Sequence, residues 1–138
     1  MKSKLHSKLS KITVEKEENF TLLGIVSPKP IYKIAFLLNQ KLHLYFVLYN
    51  QEHLEFSMPN LPPIYFSENS ADWYLFENTF PKKKIKFKDY DYFLIIHPAI
   101  SEHEIQEVLS KLNEIQDITI SSLLEHKKEI VSLFSSIL

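Results

Sequence analysis

The residue types that could do chemistry gather in three places. His97 closes an apolar run and His103 stands six residues on, with Glu102 and Glu104 beside it. Imidazoles and carboxylates are metal ligands, but a working site needs three or four that converge, and partners that orient them. Glu104 also has a competing task. It lies three residues after Ser101, the spacing of a capping box, and acidic residues in a first helical turn already complement the helix dipole. His43 and His53 have no such company. The second place is Asp91, before the most apolar run of the chain, with Asp72 and Glu77 upstream. A general base there would need a raised pKa and an acid partner; a strand-end aspartate more often accepts hydrogen bonds from its own turn. The third is Lys82, Lys83, Lys84, Lys86 and Lys88, interleaved with Phe80, Phe87 and Tyr90. Such a pattern suits stacking on single-stranded nucleic acid. It equally suits a solvated hairpin tip whose lysines block strand addition. No recognised nucleic-acid motif accompanies it, so nucleic acid is not the expected partner.

Absences narrow the field further. Cysteine is missing from the 138 residues, which removes thiol nucleophiles, disulfides and thiolate zinc sites. Gly24 is the only glycine. Phosphate loops, dinucleotide turns and nucleophile elbows each need several. All 16 basic residues are lysine, so bidentate guanidinium clamps are missing. Serines are plentiful, but no Ser-His-Asp arrangement stands out. A net charge of −1 gives no global pull toward polyanions. The basic residues 1–11 precede no signal-like apolar run, and no stretch has the length of a membrane span. The expectation is a cytoplasmic chain with no catalytic residue, no cofactor and no metal, forming a single domain over 1–138 in which residues 1–17 are the least constrained.

The elements that must position these residues follow from periodicity. Residues 20–26 form a short apolar run that reads as a strand. Pro28 and Pro30 turn the chain into a helix, where Ile31, Ile34, Ala35 and Leu38 share one face. Tyr32 and Phe36, four apart, lie on another side. Residues 42–49 read as a strand, with Leu42, Leu44, Phe46 and Leu48 inward and His43, Tyr45, Val47 and Tyr49 outward. A turn at Asn50–Gln51 leads to an extended 53–58. Residues 64–66, 72–80 and 90–96 read as further strands. Ser101 starts a helix carrying Ile105, Val108, Leu109, Leu112 and Ile115 on one stripe. A short strand at 117–120 precedes a last helix over 122–137, with Leu123, Ile130, Phe134 and Ile137 on one face and Leu124, Val131 and Leu133 outside it. Residues 20–49 and 90–120 therefore both read strand–helix–strand. The expected fold class is α+β: a two-layer sandwich with a ferredoxin-like core of two βαβ units, extended by extra antiparallel strands and a C-terminal helix.

Four segments, residues 20–25, 32–42, 73–78 and 90–95, resemble an uncharacterised bacterial family known by an IPExxxVDY signature. Asp91-Tyr92 match the end of that signature, Tyr90 replaces its valine, and Lys84-Ile85-Lys86 stand where Ile-Pro-Glu would be. The resemblance implies no activity, ligand or catalytic residue. Residues 27–38 also look like the first turn and helix of an ACT domain, a small-ligand regulatory module. Ser27 and Pro30 stand where that module carries an acid and a glycine.

The aromatic residues, 13% of the chain, are more than a small core needs to hide, and Tyr32, Phe36, Tyr45 and Tyr49 fall opposite their core stripes. A covering layer or a partner would have to shield them, since aromatics are enriched at interfaces. The expected function is a small non-enzymatic binding or interaction protein that associates with a protein partner or with itself as a homodimer. Its surface would include Tyr32, Phe36, Tyr45, Tyr49 and the five lysines. The alternatives are an ACT-like ligand sensor and a metal- or carboxylate-dependent enzyme around His97, His103 and Asp91.

Overall fold

Three nearly continuous apolar runs build the centre of the molecule, because a strand buried on both faces cannot alternate. They are β1 (Thr21–Val26), β4 (Asp72–Glu77) and β5 (Tyr92–His97). The computed structural model describes residues 19–48, 63–78 and 89–125. Its other elements are α1 (Ile31–Leu42), β2 (Val47–Leu48), β3 (Ile64–Glu68), α2 (Glu102–Asn113) and β6 (Ile120–Leu123). The strands form one sheet in the order β2-β3-β4-β5-β1-β6, with every neighbouring pair antiparallel. The fold is thus mixed α and β, as the α+β reading expects. Among the described residues no helix is long and apolar enough to cross a membrane.

Both helices pack on one side of this sheet. Ile34, Ala35 and Leu38 of α1 and Ile105, Val108 and Leu112 of α2 share a core with Leu23, Ile25, Trp73, Leu75, Tyr92, Leu94 and Ile96. Leu109, expected on the same stripe, is only partly buried against that core. The start of α2 matches its sequence signal. Glu104 N–H donates to Ser101 Oγ at 3.2 Å, and Ser101 N–H donates to Glu104 Oε1 at 3.4 Å. The two helix C-termini are tied by an ion pair, Lys41 Nζ to Glu114 Oε2 at 2.7 Å.

Several expectations are corrected. The strand expected over 42–49 is mostly something else. Helix α1 runs through Leu42, His43 caps it in the left-handed region (φ 55°), and only Val47–Leu48 pair as a strand. Leu44 and Phe46 are buried as expected, but Leu48 is exposed. Asn39 causes this: its carbonyl accepts from His43 and Leu44 N–H, and its side chain binds both backbone groups of Phe46. The described partner of β2 is β3, and three strands separate β2 from β1. Residues 20–49 are therefore not a local βαβ unit. The strand expected at 117–120 falls instead at Ile120–Leu123, so the last helix cannot begin at Ser122. Thr119 N–H to Val26 O and Leu124 N–H to Leu22 O extend the pairing of β6 with β1. The expected strand at 53–58 and the remainder of the C-terminal helix lie outside the described residues.

Candidate interaction surface

Helix α1 presents two kinds of face. At 100° per residue, Ile34, Ala35 and Leu38 point to the core, while Tyr32, Phe36 and Asn39 form a separate stripe along one flank. Lys41 and its partner Glu114 mark the flank toward α2. The Tyr32 stripe is on the far side, above the part of the sheet that continues into β3 and β2. Tyr32 is 66% and Phe36 50% exposed. Lys33 Nζ sits 5.4 Å from the centre of the Phe36 ring, a cation over its face.

Asn39 joins this stripe to the sheet edge. Its Oδ1 accepts from Phe46 N–H at 2.7 Å, and its Nδ2 donates to Phe46 O at 3.3 Å. On the other side, Tyr45 N–H donates to the buried Ser67 Oγ at 2.9 Å. The segment between α1 and β2 is thereby held from helix and sheet at once, with Leu44 and Phe46 inward and Tyr45 78% exposed. Val47 and Leu48 follow, also exposed, on an edge strand of two residues. The result is a ledge of exposed apolar side chains on helix and sheet edge: Tyr32 and Phe36 on α1, then Tyr45, Val47 and Leu48, with Leu48 opposite Tyr65 on the helix side of the sheet and Val47 opposite Phe66 on the other face. Exposed apolar side chains gathered at one edge mark interaction sites, and β2, which among the described residues pairs on one side only, has an edge of the kind that can accept another strand.

Of the expected surface, Tyr32, Phe36 and Tyr45 belong to this ledge. Tyr49 and Lys82, Lys83, Lys84, Lys86 and Lys88 lie outside the described residues. Val47 is exposed, as its outward position in the sequence reading expects, although it was not counted in the surface; Leu48, expected inward, is exposed instead. Every position of 42–49 except His43 is apolar or aromatic, so nothing in Leu48 itself signals that it faces water. Asn39, a polar residue near the end of an apolar helix, was the available signal.

The chemical alternatives meet different surroundings. His103 is exposed and paired along its own helix, Nε2 to Glu107 Oε1 at 3.0 Å. Among the described residues no group of three or more histidines and carboxylates could hold a metal ion. Asp91 Oδ2 accepts from Ser27 N–H at 2.9 Å, and Ser27 Oγ in turn donates to Asp117 O at 2.6 Å and accepts from Lys29 N–H. Tyr92 hydroxyl donates to Lys29 O. Asp91 therefore fastens the turn between β1 and α1. Asp72 pairs with His97 at the opposite end of β5, and Glu77 pairs with Tyr92 near Asp91. No family model, curated protein or solved structure matches the chain.

Proposed function

We propose that this chain is a small cytoplasmic interaction protein that docks, and self-associates, through the α1–β2 ledge. The observation that carries this reading is the ledge itself: five large apolar side chains left exposed on α1 and on the segment after it, which Asn39 and Ser67 hold in place. A chance exposed side chain needs no such anchoring, and scattered ones are ordinary. Non-enzymatic binding is favoured because the polar groups with catalytic potential are engaged in structure: Asp91 in a turn, Glu104 in a cap, His103 in an ion pair. The strand order β6-β1-β5-β4, with helices after β1 and β5, supports a ferredoxin-like core to which β3 and β2 add an edge. Kinship with the IPExxxVDY family is part of the same proposal and rests on the segments that now form β1, α1, β4 and β5. Concentration-dependent amide spectra test the docking surface. Shifts should concentrate at Tyr32, Lys33, Phe36, Tyr45, Val47 and Leu48. Spectra that do not change with concentration, or shifts centred on α2, would count against it.

A further inference from the structure

The two described helices are too few for the sheet they cover. Six strands span roughly 25–30 Å at sheet spacing, and two packed helices cover about 20 Å. Helix α1 lies over β4 and against α2, and α2 lies over β6. What the described helices leave is a strip over β3 and β2, about one helix wide. Tyr65 and Leu48 stand side by side on it; Tyr65 is partly buried at the margin of the core and Leu48 is exposed. Residues 44–48 and 64–67 contain no charge. Beside the strip runs the flank of α1 that carries the exposed Tyr32 and Phe36.

One chain thus carries a helix flank that wants a neighbour and a sheet strip that wants a helix. Resting on the ledge reading, we infer that the occupant of the strip is α1 of a second copy, exchanged about a two-fold axis parallel to α1. An isologous pair covers both surfaces at once. The two α1 helices lie side by side and parallel in one layer, with a sheet on either side of it. Packed helices stand about 8–10 Å apart, which is about two strand spacings. A second helix beside an α1 that lies over β4 therefore falls over β3 and β2. Tyr32 meets its equivalent across the axis. Phe36, turned further outward, rests on Leu48 and Tyr65 of the other copy. Lys33, with its ammonium over the Phe36 ring, lays its stem on the same apolar surface and keeps its charge at the rim. Strand addition at β2 accounts for less, because it leaves Tyr32 and Phe36 in water.

Isotope-filtered nuclear Overhauser spectra on an equal mixture of labelled and unlabelled native protein test this arrangement. Contacts between copies are expected from the Phe36 ring to the Leu48 methyls and the Tyr65 ring. The chain has no cysteine, so Tyr32→Cys places a single thiol beside the axis. Mild oxidation should link that variant into a disulfide dimer, while Leu48→Cys, far from the axis, stays unlinked. Contacts between copies that join Leu48 to Val47 or Leu48, with Leu48→Cys linking instead, would mean strand addition at β2. That result overturns the inference and leaves the ledge reading standing. A native chain that shows no contact between copies and stays monomeric overturns both.

Discussion

Tyr74 is the residue whose environment is least comfortable. It is fully buried, and among the described residues its hydroxyl has no hydrogen-bond partner. Burying an unpaired hydroxyl is unfavourable, so Tyr74→Phe should stabilise the protein by about 1 kcal/mol in urea titrations. Burial first, then the charges of Asp72 and Glu68, push the Tyr74 pKa well above its ordinary value of 10.0. The folded value exceeds the unfolded one. The associated stability is therefore complete below about pH 10 and is lost as unfolded chains ionise at higher pH. Tyr74→Phe should flatten that alkaline loss; a slope identical to the native protein's would contradict the assignment. Gly24 is tight for a different reason. An added Cβ would stand 2.5 Å from Tyr90 Cδ1 and 2.9 Å from Leu124 Cδ1. Gly24→Ala should destabilise by about 1–3 kcal/mol, as overpacking does, and Tyr90→Ala should remove part of that penalty. Neither site was legible beforehand. A lone glycine in an apolar run does not say which ring crosses it, and Tyr74 sits in a run where every neighbour is also apolar.

At the scale of elements, α2 was legible almost to the residue, because a capping box and a 3.6-residue stripe are both local. Ser101→Ala should cost about 0.5–2 kcal/mol, and Glu104→Gln little, since glutamine serves the same cap. Thermal melts of both variants check this; equal losses would mean that Glu104 does more than cap. The end of α1 was not legible. His43 takes a left-handed conformation that favours glycine, and nothing in its side chain announces it. His43→Gly should gain about 1 kcal/mol, provided the imidazole makes no contribution of its own; a loss would expose one. Asn39 decides the path after the helix through four hydrogen bonds, a long reach for a single residue, and propensity alone would have extended a strand through it. The strand order was equally hidden, because pairing β1 with β5 and β6 joins segments about 70 and 100 residues apart, which short-range periodicity cannot specify.

At the scale of the whole molecule, the sheet ends among the described residues in β2, two residues beside the exposed aromatics of α1. The proposed function lives there, and its energetics separate cleanly from folding. Tyr32 and Phe36 are exposed, so replacing both by serine should leave the melting transition nearly unchanged, as surface substitutions do, while removing much of the apolar area that docking would bury. Sedimentation velocity across the micromolar range, on the native chain and on this double variant, is the most direct measurement. The native protein should sediment faster as concentration rises, and the variant should stay at the monomer value with its fold intact. A native chain that remains monomeric throughout, or a variant that associates as well as the native protein, would contradict self-association through the ledge.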